Sequence, residues 1–168
     1  MREAEVKALF IDPVNRTPVV VLKDMHSSKI VPIWIGETEA FSIATELQGQ
    51  KFARPLSHDL MKSIMEAVGA KLEKVVINDL RDNVYIATVY IKTAAGEIRE
   101  LDARPSDSIA LALRMHSPIY IADHVFDKSA IEPPEDEEEK EKFTEFVDKE
   151  LRLSEFRRYI DDKGQGGS

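Results

Sequence analysis

Apolar positions follow two rhythms along this chain. Residues 4–11 (AEVKALFI), 18–23 (PVVVLK) and 29–35 (KIVPIWI) are short runs rich in Val, Ile and Leu, which predict three strands. Asp12-Pro13-Val14-Asn15 has turn chemistry between the first two, and His26-Ser27-Ser28 precedes the third. Pro32 has no N–H to give a ladder, so the third strand is expected at a sheet edge or with a bulge. After Gly36 the period changes. Ala40, Ile43, Ala44 and Leu47 recur at helical spacing, with Glu37 and Glu39 in the first turn and Gly49 at the end. A second helix runs from about Ser57 to Val68, with Leu60, Met61, Ile64, Met65 and Val68 as its apolar stripe, Ser57 as N-cap and Gly69 just past its end.

The strand rhythm then returns. Residues 70–80 and 84–92 read as a hairpin around Arg81-Asp82-Asn83, followed by a short strand at 97–101. A third helix spans roughly 105–115, with Ile109, Ala112 and Leu113 on its inner side, and residues 118–122 (PIYIA) form one more strand. The order β-β-β-α-α-β-β-β-α-β points to an α+β fold, with helices packed on a mixed or largely antiparallel sheet. Residues 1–131 are expected to form the domain. Residues 132–168 read as an acidic linker, an amphipathic helix over about 139–159 (Phe143, Phe146, Val147, Leu151, Phe156) and a flexible Gly-rich end.

Charge sharpens that boundary. The chain carries a net charge of −8, but residues 132–150 hold ten acids and three bases. The body is nearly balanced, so acidity neither excludes nucleic acid nor supports it. There is no cysteine, which removes disulfides and thiolate chemistry. The first residues lack a secretory pattern and no apolar run reaches membrane-spanning length, so the expected setting is cytoplasmic, with no membrane partner. The third strand's edge and the terminal helix offer surfaces for a homo-oligomer, most simply a homodimer.

Candidate chemistry gathers at two helix openings. Arg54-Pro55-Leu56-Ser57-His58-Asp59 leads into the second helix, and Asp102-Ala103-Arg104-Pro105-Ser106-Asp107 into the third. Each sets an arginine, a hydroxyl and a carboxylate where backbone N–H groups are free. Arg54 and Arg104 are candidate phosphate clamps, and Ser57 and Ser106 could add hydrogen bonds. His58 has a proton affinity suited to general acid or base work, with Asp59 beside it. Asp102 and Asp107, joined by Glu39, could ligate Mg²⁺ or Mn²⁺. The same residues also make ordinary caps and ion pairs, and both readings stand at this level. Trp34 reads as a core or interface residue of an apolar strand rather than a stacking platform. His26, His116 and His124 lack zinc-ligand spacing.

Three segments resemble the bifunctional nuclease domain family: Pro32-Ile33-Trp34-Ile35-Gly36, Arg54-Pro55-Leu56-Ser57-His58-Asp59 and Asp102 through Ala110. The likeness covers roughly residues 1–130, in matching order, and is that of a compact prokaryotic member. It implies a nuclease acting on RNA, DNA or both, with a divalent metal. Some members carry a C-terminal helical hairpin resembling excision-repair proteins. Residues 135–160 here are acidic and read as a single helix, so that hairpin is not expected. The alternative function is a non-catalytic nucleic-acid-binding or regulatory scaffold that uses the same helix ends for anions.

Overall fold

The computed structural model describes residues 1–133. Its elements are β1 (Arg2–Ile11), β2 (Pro18–Asp24), β3 (Ile30–Trp34), α1 (Glu37–Leu47), α2 (Ser57–Ala67), β4 (Lys71–Arg81), β5 (Val84–Lys92), β6 (Ile98–Ala103), α3 (Pro105–Met115), β7 (Ile119–Ile121) and α4 (Asp123–Ser129). The fold is α+β, as the order of elements predicts. The proposed terminal helix lies outside the described residues.

One seven-stranded sheet runs in the order β3-β2-β1-β7-β4-β5-β6. Two antiparallel meanders, β1–β2–β3 and β4–β5–β6, are joined at the centre by β7. This seam is three residues long, antiparallel to β1 and parallel to β4. Pro32 falls on the edge strand β3, where a missing donor is tolerated. One face of the sheet carries the main core: Val20, Leu22, Val31 and Ile33 from the first meander, Val75, Ile77 and Ala87 from the second. Ile43 of α1 and Ile109 of α3 close over them, each fully buried. Burying such side chains contributes about 1.5–3 kcal/mol each. Among the described residues no helix is long and apolar enough to cross a membrane.

Two departures from the sequence reading matter for the site. Helix α4 is additional; its Val125 and Phe126 are buried, and Arg2 stacks on the Phe126 ring at 4.4 Å. Seven residues with two buried side chains show no period. The stripe of α2 is the second. Leu60, Met61, Ile64 and Val68 are exposed, Met65 is half-buried, and His58 is the helix's buried residue. Amphipathic spacing identified the helix but not a covered face. They leave an apolar groove against Val89, Ile91 and Leu101 of the sheet. Ile43→Ala is therefore expected to cost about 2–5 kcal/mol, but Ile64→Ala below about 1 kcal/mol. Urea unfolding of the two variants checks this; equal losses would mean that α2 is covered in solution.

Candidate functional site

The three longer helices begin close together, and their first turns share a hydrogen-bonded cluster. Arg104 is the N-cap of α3, with Pro105 in the first helical position, where a missing N–H is harmless. Its Nε donates to Asp107 Oδ2 at 2.9 Å, and its Nη2 lies 2.9 Å from both Asp107 Oδ2 and Glu39 Oε1. Those two carboxylates raise the guanidinium's pKa above its ordinary value, Asp107 chiefly through its hydrogen bond and then through its charge. About two-thirds of the Arg104 side chain is exposed.

Asp107 turns its other oxygen inward. Oδ1 sits 2.9 Å from His58 Nε2, and His58 Nδ1 sits 2.6 Å from Ser42 Oγ. A carboxylate only accepts, so Nε2–H donates to Asp107; when the ring is neutral, Nδ1 accepts the Ser42 hydroxyl. His58 and Ser42 are both buried, so the imidazole meets the surface through Asp107. His58 lies within the first turn of α2. Leu56, not Ser57, is the N-cap, and Ser57 is exposed. A leucine side chain cannot accept a hydrogen bond. Half of a capping box remains: Asp59 Oδ2 accepts the Leu56 backbone N–H at 2.9 Å.

Asp59 faces away from the cluster. Its Oδ1 takes Arg114 Nε at 2.7 Å, and Arg114 also donates to the carbonyls of Ala110 (3.0 Å) and Ser42 (3.1 Å). Burial would raise the Asp59 pKa, but the bonds from Arg114 and Leu56, with the Arg114 charge, outweigh it and set the pKa below the usual value. Arg114 thus ties α1 and α2 to α3. Neither Arg114 nor Ser42 stands out in the sequence: one reads as a cation in a helix's last turn, the other as a small polar residue within a helix. The spacing of Arg114 seven residues after Asp107, two helical turns on, is the only local hint that both face the same neighbours.

The predicted metal set is only partly assembled. Glu39 and Asp107 meet, but through Arg104. Asp102 pairs with Thr88 in the β5–β6 ladder and lines, with Asp107, the groove between α2 and the sheet. Asp102 is exposed and makes no ion pair with Arg104. Among the described residues no three His, Asp or Glu side chains are placed to hold a metal ion. With Asp107 engaged by His58 and Arg104, and Glu39 by Arg104, this donor set does not fit Mg²⁺ or Mn²⁺ as it stands. Arg54 is exposed and outside the cluster.

Beside the cluster lies a cleft of about 420 Å³. The sheet curls enough for the end of β3 (Trp34), the β4–β5 turn (Asn83), the start of β5 (Tyr85) and the start of α3 (Arg104, Ser106) to share it. Trp34 is 52% exposed, so it is not a core residue. Gly36, the N-cap of α1, lines the cleft too, with φ −75° and ψ 159°, angles any residue adopts. What requires glycine is space, because an added Cβ would run into Glu39 Oε2. Gly36→Ala is expected to turn the Glu39 carboxylate out of its ion pair while changing stability by less than about 1 kcal/mol. A crystal structure of the variant with Glu39 still on Arg104 would contradict this.

Comparison with known proteins adds sequence relationships to this geometry. A model of the bifunctional nuclease domain matches residues 20–134. An uncharacterized protein of Mycobacterium tuberculosis is 35% identical over 158 residues, spanning 88% of this chain and 94% of that protein. Bifunctional nuclease 1 of Oryza sativa subsp. japonica is 26% identical over 112 residues, 66% of this chain but 34% of its own length. Bifunctional nuclease 1 of Arabidopsis thaliana is 25% identical over 107 residues, again about a third of its length (33%).

Proposed function

The chain belongs to the bifunctional nuclease domain family, and from that premise we propose that it hydrolyses phosphodiester bonds in RNA or DNA at the Glu39–Arg104–Asp107–His58 cluster. The observation that carries the reading is Asp107. One of its oxygens faces a buried imidazole and the other an exposed guanidinium on a cleft wall. A carboxylate held this way can take a proton while the arginine beside it meets phosphate.

In this mechanism Arg104 offers its remaining N–H groups to the non-bridging oxygens and stabilises the charge that builds there. Asp107 accepts the proton of the attacking water at Oδ1, which takes one bond, from His58, whereas Oδ2 already faces both Nε and Nη2 of Arg104. The water oxygen bonds to phosphorus, the bond to the leaving sugar oxygen breaks, and that oxygen takes a proton from solvent while Asp107 returns its own to solvent. The products are a phosphomonoester and an alcohol. His58 is a positioning residue: its Nε2–H aims Asp107, and Ser42 fixes the ring's tautomer. Arg54, exposed ahead of α2, supplies a further phosphate contact. No step is assigned to a metal, since the carboxylates are engaged by Arg104 and His58.

Labelled single-stranded RNA and DNA, incubated with purified protein in chelator and then with added Mg²⁺ or Mn²⁺, test the reading. Arg104→Met is expected to lose about 100-fold in kcat/KM. Cleavage unchanged in this variant, folded to the same extent, would reject the site. Binding that depends on Arg104 without cleavage under any condition would favour the regulatory scaffold.

A further inference from the structure

We propose that the cleft beside Arg104 is a subsite for one unstacked nucleotide of a single strand, with its base on the Trp34 ring and its phosphate on Arg104. The inference rests on the phosphodiester reading for the identity of the anion and adds the form of nucleic acid the site accepts.

Trp34 carries the case. It ends a strand whose preceding residues are mostly buried, yet half of it is open and lines the cleft. It is nonetheless held. Its Nε1–H donates to Asp12 Oδ2 at 3.2 Å. Asp12 is fixed in the β1–β2 turn, its Oδ1 accepting the Val14 N–H at 2.9 Å and its own N–H and carbonyl bonded to Thr17 and Arg16. The indole's polar edge is therefore satisfied within the protein, while its face stays free. An oriented, exposed aromatic face is what a base stacks upon, whichever base it is.

The rest of the cleft is suited to the remainder of a nucleotide. Ile33, Ile35, Val84 and Pro105 give it apolar walls. Ser106 lines the cleft, and its side-chain hydroxyl makes no hydrogen bond among the described residues, which leaves it as a donor for a ligand there. Arg104 provides the cation on the same wall. About 420 Å³ is within the range of small-ligand clefts and cannot admit a double helix. In the interior of a duplex both faces of each base are stacked, so an internal base reaches Trp34 only after extrusion, which costs a few kcal/mol. Single strands avoid that cost.

The chain has one tryptophan, so its fluorescence reports on the subsite without any cleavage. A phosphorothioate decathymidylate, thymidine 5′-monophosphate and a blunt duplex of the same length would be titrated separately. The single strand should quench Trp34 saturably, the mononucleotide more weakly, and the duplex at least tenfold more weakly than the strand. Anisotropy of a labelled strand should show affinity falling about 5- to 100-fold in Trp34→Ala and largely kept in Trp34→Phe. Strand binding without quenching, equal quenching by duplex, or wild-type affinity in a folded Trp34→Ala would each overturn the proposal. If the wild type cleaves while Trp34→Ala binds and cleaves equally, the subsite fails and the phosphodiester reading stands. If the strand quenches Trp34 and nothing is cleaved, the nucleotide site stands and hydrolysis fails.

Discussion

Asp107→Asn is expected to lower kcat about 100- to 10,000-fold, the range for loss of a positioned general base. The substitution keeps size and shape. Its carbonyl oxygen can still accept His58 Nε2–H, but the amide nitrogen then turns its own N–H groups toward Arg104. The variant cannot accept the water's proton, and it pushes the guanidinium out of register. KM should move less than kcat, because the cleft walls still meet the substrate while the proton acceptor is gone. Single-turnover cleavage at saturating protein separates these effects. A fall in KM-dependent rate alone would make Asp107 a binding residue. Full kcat in a folded Asp107→Asn would move the chemistry elsewhere.

A large and pH-dependent loss of stability is expected at Arg114. Arg114→Met keeps an apolar stem but leaves Asp59 without its cation and the Ser42 carbonyl without its donor. Removing one partner of a buried pair costs about 3–5 kcal/mol. Asp59 keeps more than a third of its side chain in water (38%), which places this case near about 3 kcal/mol. The loss depends on pH in a defined sense. The folded-state pKa of Asp59 lies below its unfolded value, so its contribution is complete above about pH 4 and fades as pH falls through the folded value. Urea unfolding should therefore show a wide gap between wild type and variant at pH 7 that narrows at pH 3. A gap that stays constant would assign the loss to packing. Cleavage should fall along with stability, since Arg114 anchors the carbonyl of the residue whose hydroxyl sets the His58 ring.

These two residues mark where sequence reasoning reached and where it stopped. The pairing of Arg104 with Asp107 was legible because residues three apart share a helix face and both sit at a helix opening. The strands were legible because β-branched runs and turn residues are local signals. Helix α4 was not, because seven residues are too few for a period to emerge. Arg114 and Ser42 were illegible for another reason: their roles exist only between helices, and nothing within either helix distinguishes a tertiary anchor from a surface cation or a small polar filler. Asp102 and Asp107 do line one groove, as their nearness along the chain suggests, but only Asp107 joins the hydrogen-bonded cluster, because Arg104 and His58 reach it. Trp34 was read as apolar because its strand is, although the last residue of an edge strand can turn into a cleft. The exposed stripe of α2 shows that spacing tells which residues share a face but not what lies opposite.

The three-residue seam of β7 sets an order on biosynthesis. As the chain leaves the ribosome, β1–β2–β3 can zip first, and β4–β5–β6 can follow before residue 119 is made. Until then β1 and β4 each present an unpaired edge, with main-chain donors and acceptors open to any neighbouring strand. The finished sheet pairs the facing part of each edge, Arg2–Ala4 of β1 and Val75–Ile77 of β4, at its centre. The vulnerable surface of the nascent protein is thus the most interior line of the native one, and late arrival of Ile119–Ile121 ends the period of aggregation risk.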